Sequence, residues 1–339
     1  MLRLLRVKTE LLISELSSSE YLSLTGEANE YVFENGRRYH GYKPGRYMLP
    51  NDENEMDRED IKHHISMLIT EGRLHLAPIG PDPQVILDIG TGTGIWAIDT
   101  ADLYPNAKVI ATDLSPIQPT WYAMYILSHC PPNHPRVPPN LSFEIDDAEE
   151  DWLFDPKSID LVHARYLFHG IRDWPRLLRQ AKRVLKPGGY VELVEMHVVP
   201  TSPDNTLPPN SQIMEFYTTL ADVSQEVGLD LSVAQKYGSM MVRAGFEDVV
   251  EEVFDLPIGD WMSDRRMKEG GGVDADEGAG VFGGGEEGDE GSGGALYVFA
   301  TFCIWTCAGI GQVTIPGLGV WLLELQGLEN GCLDTVRRE

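Results

Sequence analysis

Between residues 85 and 200 the chain alternates short apolar runs with stretches whose apolar residues recur every three or four positions. Val85-Ile-Leu-Asp-Ile89 is an apolar run closed by glycines and predicts a buried strand. Ile95 to Leu103 has helical spacing and stops before Pro105. Lys108–Asp113, Leu141–Ala148 and Ile159–Arg165 repeat the strand pattern. Asp173-Trp-Pro175 opens a helix with an N-cap acid and a proline in its first turn. Leu177, Leu178, Ala181, Val184 and Leu185 form its buried stripe, and Lys186-Pro-Gly-Gly189 ends it before a fifth strand, Tyr190–Met196. A helix holding Met240 and Met241, read as core, leads to a sixth strand, Phe246–Pro257. Strands alternating with helices predict a doubly wound α/β sheet with helices on both faces. In that architecture a ligand sits at the carboxyl ends of the strands.

The first strand ends in Asp88 and runs into Gly90, Gly92 and Gly94, giving D-x-G-x-G-x-G. A dinucleotide loop needs G-x-G-x-x-G, and Ile95 stands where its last glycine would fall. No Gly-Lys-Ser/Thr follows, which excludes a phosphate-gripping loop. A carboxylate directly before the loop repels a pyrophosphate but suits a ligand with a cationic end. S-adenosylmethionine, with a sulfonium, an amino group and no phosphate, is such a ligand.

Asp113 ends the second strand 25 residues after Asp88, where an acid can accept both hydroxyls of a ribose. Asp146 and Asp147 end the third strand and are candidates for the adenine amino group. His163 lies on the fourth, which leads towards the reaction face. The candidate cofactor contacts are thus Asp88, Gly90, Thr91, Gly92, Thr93, Gly94, Asp113, Leu114, Asp146, Asp147, Ala148 and His163.

These motifs, with Tyr31–His40, Leu49–Glu53, His75–Ile79, Trp96–Asp99, Thr112–Pro119, Phe143–Glu149, His163–Arg165, Trp174–Arg179 and Lys186–Gly189, resemble class I S-adenosylmethionine-dependent methyltransferases. Within that class the chain is similar to the fungal methyltransferases related to LaeA, the regulator of secondary metabolism. The likeness runs from about 31 to 261. It implies a Rossmann-like sheet, S-adenosylmethionine as cofactor and methyl transfer, and it names no acceptor. A small-molecule acceptor of secondary metabolism is one expectation. A regulator acting through a protein partner, or a non-functional relative, are the others.

A net charge of −26 leaves no basic stripe for phosphates and argues against nucleic acid as substrate. Cys130, Cys303, Cys307 and Cys332 form neither a disulfide framework nor a zinc pair, which suits the cytoplasm or nucleus. The nine histidines show no metal-binding grouping. Asn140-Leu-Ser142 fits a glycosylation sequon by chance, and the short basic-apolar start of the chain is interrupted by Glu10 and Glu15.

Four divisions follow: an N-terminal helical and lid segment (1–80), the catalytic domain (81–261), an acidic Gly-rich tract expected to be disordered (262–294), and a divergent apolar segment (295–339). Arg37, Arg38, Tyr39, His40 and Tyr47 are expected in a lid over the cofactor or, as the plain alternative, in a packing segment. Residues 122–136 interrupt the family pattern, as a surface loop or a retained intron. No Val-Tyr-Gly-like closing strand is recognisable after 261, which leaves the closure of the sheet open and fits a truncated or misread C-terminus. Ala295–Leu323 carries no charge, but Gly309, Gly311, Pro316, Gly317 and Gly319 break it. Two short strands or a collapsed hairpin, separable from the nucleotide site, are expected there rather than a membrane anchor. Tyr166, His169, Glu195 and His197 follow strands four and five, where a general base would stand if the acceptor must lose a proton.

Overall fold

The computed structural model describes residues 31–119, 137–202, 207–257 and 299–308. A hairpin, β1 (Tyr31–Glu34) and β2 (Arg37–His40), precedes helix α1 (Glu53–Ile69). Then follow β3 (Val85–Ile89), α2 (Ile95–Leu103), β4 (Lys108–Asp113), β5 (Leu141–Ile145) and β6 (Ile159–Arg165). The rest comprises α3 (Trp174–Val184), β7 (Leu185–Thr201), α4 (Gln212–Glu226), α5 (Tyr237–Ala244), β8 (Glu247–Pro257) and β9 (Phe299–Ala308). Seven strands form one sheet in the order β5-β4-β3-β6-β7-β9-β8. β3 to β7 are mutually parallel, and β9 runs antiparallel between β7 and β8. This is the doubly wound α/β sheet that the sequence predicts.

β3 is central because it is apolar on both faces. Leu87 and Ile89 point towards α3 and α5, among Leu177, Leu178, Ala181, Tyr237 and Met241. Ile86 points the other way, towards Trp96, Ala97 and Ala101 of α2. Strict alternation along the strand lets five residues serve two layers. Met241 is fully buried, as expected of core. Asn140 closes the end of α2, its side-chain amide donating to the carbonyls of Ala101, Tyr104 and Ala107.

The closure that the sequence leaves open is supplied by β9. β9 pairs with β7 from Tyr190↔Ala308 to His197↔Thr301, and with β8 from Val250↔Thr306 to Pro257↔Phe299. Ile304, Trp305, Thr306 and Cys307 are buried. A strand with neighbours on both edges and packing on its faces needs no polar alternation, so it reads as an uncharged run. Residues 299–308 are therefore part of the sheet and not of a separable appendage. Trp305 packs against Gly238 of α5, where any side chain would collide with the indole. The tract 262–294, the insertion 122–136 and residues 309–339 lie outside the described residues. No helix among the described residues is long and apolar enough to cross a membrane.

Candidate active site

The carboxyl ends of β3, β4, β5 and β6 open on a cavity of about 890 Å³, counting its mouth. Gly90, Gly92, Asp113, Leu114, Asp146, Asp147 and Ala148 line it, which places seven of the sequence-predicted residues on one surface. Behind the glycine loop a smaller chamber of about 360 Å³ is lined by Asp88, Thr91, Thr93 and His163. Glu59, Gly90, Gly92, Arg165 and Tyr166 border both spaces. Gly94 lines neither. It begins α2 with φ 83°, and a Cβ there would sit 2.6 Å from the Phe143 ring, so it serves close packing.

Asp113 is the best-prepared acceptor in the cavity. One carboxylate oxygen takes the Gly92 N–H at 2.8 Å and the other the Ser115 N–H at 2.8 Å. Each oxygen keeps lone-pair capacity for one further donor. Burial pushes its pKa up to about 6, against the two backbone hydrogen bonds. Gly92 takes φ 59° to present that N–H, while Gln118 holds its carbonyl at 2.7 Å.

Asp146 accepts the Asp147 N–H, and burial raises its pKa. Asp147 is differently placed: it is buried and paired with Lys43 at 2.9 Å and Arg46 at 3.2 Å. Arg46 also pairs with Glu149, whose other oxygen accepts the N–H groups of Arg172 and Asp173. These contacts fasten the turn after β2 to the end of β5. The Tyr31 hydroxyl donates to the Pro116 carbonyl and the Asn51 amide to Ser115, fastening the same segment to the loop after β4. Tyr47, Pro50, Asn51, Glu55, Met56 and Glu59 form the facing wall of the cavity. Of the expected lid residues only Tyr47 reaches the cavity. Arg37 instead holds the helix cap Asp52, whose carboxyl this pairing pulls down to about 2.

The strand-end polar residues separate clearly. Tyr166 lines the cavity, its hydroxyl 2.6 Å from Ser66 Oγ, and burial pushes it up to about 12. His169 stands one layer back, its Nε2 3.0 Å from the Tyr47 hydroxyl, and burial lowers it to about 3. Glu195 lies inside the sheet, accepting from Phe168 N–H and the Tyr237 hydroxyl. His197 contacts Gln235, away from the cavity. In the chamber, His163 bonds Asp88 through Nδ1 at 2.7 Å and stacks on Trp96 with centroids 3.6 Å apart.

A family described as "Methyltransferase domain" matches residues 61–251, more than half of the chain. The chain belongs to this methyltransferase family. The methyltransferase pytC of Aspergillus terreus is 40% identical over 258 residues, covering 76% of this chain and 75% of its own. The secondary metabolism regulator LAE1 of Cochliobolus heterostrophus is 38% identical, covering 71% and 75%. Among solved structures, phosphoethanolamine N-methyltransferase 2 of Haemonchus contortus, in complex with S-adenosylmethionine, gives a TM-score of 0.43 at 18% identity, over 74% of this chain and 53% of its own. This methyltransferase uses S-adenosylmethionine as its cofactor. The site fits that group. Asp113 offers two acceptor positions to a pair of hydroxyls, and the chamber holds two buried polar atoms that meet no partner among the described residues, Thr91 Oγ1 and His163 Nε2.

Sequence reasoning missed Glu59 and Arg165, which border both spaces. Glu59 comes from α1, outside any loop motif. Arg165 carried a usable signal: two residues after His163 on one strand, it must share that residue's face.

Proposed function

We propose that this methyltransferase acts on a small molecule of fungal secondary metabolism, with its cofactor lying along the carboxyl ends of β3 to β6. In this reading Asp113 accepts both ribose hydroxyls, and Leu114 packs on the adenine. Asp146 and the backbone at Ala148 take the adenine edge, with Asp147 bracing the lid through Lys43 and Arg46. Asp88, Gly90, Thr91, Gly92, Thr93 and His163 surround the amino-acid end. The observation that carries the reading is Asp113, half-buried at the cavity wall with both oxygens half-satisfied.

Bound S-adenosylmethionine supplies an already activated methyl group for in-line displacement. The chain's residues supply orientation and exclusion of water. Tyr47, Pro50, Met56, Leu167 and Ile171 give the cavity a largely apolar wall, suited to the body of a small organic acceptor. The similarity to pytC, a methyltransferase by name, supports the same class.

A second reading, a cofactor-binding regulator that works through a protein partner, is favoured by the similarity to LAE1. Methyl-labelled cofactor incubated with the protein and a fungal extract, then split by size, tests the choice. Label in the low-mass fraction supports the small-molecule acceptor. Label confined to protein contradicts it and favours the second reading.

A further inference from the structure

Helix α4 carries two apolar faces, and the fold uses one of them. Tyr217 and Ser224 are buried on the first, where Tyr217 and Ala221 pack with Val198, Leu231 and Phe168. The second is formed by Ile213, Phe216, Leu220, Val223 and the C-cap Val227, each between 38% and 55% exposed. Their spacing alternates three and four residues, which draws one continuous stripe along a helix about 22 Å long. That is the pattern against which a second helix packs, and a chance scatter of exposed side chains would not keep it over five positions. Glu215, Asp222 and Glu226 lie on the same helix, which carries no Lys or Arg. The occupant that fits is therefore apolar at the same spacing and basic at its flank.

The chain carries such a segment ahead of β1. Leu2, Leu5, Thr9, Leu12 and Leu16 repeat the three-and-four spacing, and Arg3, Arg6 and Lys8 precede the first acid, Glu10. These residues lie outside the described ones, but the place where they join the fold is described. Tyr31 pairs with His40, whose Nε2 accepts the Tyr47 N–H at 3.2 Å. Arg46, the residue before, shares the Arg172 guanidinium with the end of α4. Arg172 Nη1 donates to the Arg46 carbonyl at 3.1 Å and Nε to the Val227 carbonyl at 3.2 Å. Residue 31 thus stands a few contacts from the C-terminal end of the stripe, and residues 17–30 can span up to about 45 Å. A second copy of the chain is the poorer occupant. One face of a 15-residue helix falls short of the roughly 800 Å² per partner of a stable complex, and a net charge of −26 repels another copy. A tethered segment needs less area, because its effective concentration is about millimolar.

We propose that residues 1–16 dock on the exposed stripe of α4, with leucines against Phe216 and Leu220 and basic residues beside Glu215, Asp222 and Glu226. The hairpin of β1 and β2 is then held on both sides: by this docking before β1, and by the Lys43 and Arg46 pairs after β2.

Two measurements on the full chain test this contact. A carbodiimide joins amines directly to carboxylates. Applied at low protein concentration and mapped by mass spectrometry, it is expected to join Lys8 to Glu215, Asp222 or Glu226 within the monomer. Hydrogen exchange is expected to show residues 2–16 protected in the parent. In Leu220→Asp their exchange should quicken about tenfold or more, while the amides of α4 itself keep their rates. Leu220 lies on the face that the fold does not use, so this variant is expected to melt with the parent. Leu5→Asp combined with Leu12→Asp should release the same protection from the other side. Residues 2–16 exchanging in the parent as fast as an unfolded peptide would overturn the inference. So would protection that Leu220→Asp leaves unchanged. Lys8 links confined to a dimer would assign the stripe to a second copy instead, and links from the α4 acids to Lys268 alone would assign it to another segment of the chain.

Discussion

The two halves of the sheet bury carboxylates in opposite ways. In the half formed by β5, β4, β3 and β6, Asp113 sits at a strand end with spare acceptor capacity facing a cavity. In the half formed by β7, β9 and β8, Glu192 accepts from Leu76 and Ala77, and Glu195 from Met196, Phe168 and Tyr237. Burial pushes all three up, to about 6, about 7 and about 8. A raised pKa alone therefore does not mark the site. What distinguishes Asp113 is capacity left unspent beside open space. The acids on β7 spend theirs on the chain and tie loops to the sheet.

The comparison breaks most visibly at β9. A chain ending at residue 265 loses the strand between β7 and β8 and leaves both ladders open. Such a chain is expected to lose its cooperative thermal transition, because the missing pairing is large against a typical stability of roughly 5–15 kcal/mol. A truncated chain melting like the parent would show that the antiparallel half is dispensable.

The next test sets Glu195 against Asp113. Glu195→Ala leaves the Phe168 N–H and Tyr237 hydroxyl without their acceptor. It should cost about 1–3 kcal/mol in denaturant unfolding, with S-adenosylhomocysteine affinity within about threefold of the parent. Asp113→Ala should do the reverse, losing about ten- to a hundredfold in affinity with a small change in stability. Matching effects in the two variants would erase the distinction.

Acidity sharpens it further. Asp113 ionises near 6 in the ligand-free chain, and donor hydroxyls prefer its ionised form. Affinity for S-adenosylhomocysteine is therefore full above about pH 7 and falls as pH drops through about 6, by up to about tenfold per unit. Asp113→Asn should flatten that dependence, and a profile unchanged by it would assign the titration elsewhere. Glu195 has the opposite sign for stability. Its folded pKa lies above the ordinary 4.5, so its contribution is full below that value and is lost as pH rises towards about 8.

The smallest effect belongs to the segment after β2. Lys43→Ala removes pairs to Asp147 and Glu150, and Lys43 is a third exposed. About 0.2–1 kcal/mol is expected, shrinking with added salt, as read from S-adenosylhomocysteine affinity across ionic strengths. A salt-independent loss would mean that Lys43 acts on packing rather than through its charge.

The half that lines the cavity was legible in the sequence because each of its parts is local. An apolar run, a glycine spacing and a terminal acid stand close together in the chain, and parallel pairing orders them. The antiparallel half was not. β9 carries no motif, and only its pairing with β7 and β8, both distant in sequence, distinguishes it from any uncharged run. The facing wall of the cavity was hidden for the same reason. Glu55, Met56 and Glu59 are spaced as on any amphipathic helix, and tertiary packing alone brings them opposite Asp113.

A crystal structure with S-adenosylhomocysteine tests the central claim most directly. The account predicts the ribose hydroxyls within hydrogen-bond distance of both Asp113 oxygens, the adenine between Leu114 and Asp146, and the amino-acid end behind the glycine loop. A ligand bound elsewhere, or one whose ribose leaves Asp113 untouched, would contradict it.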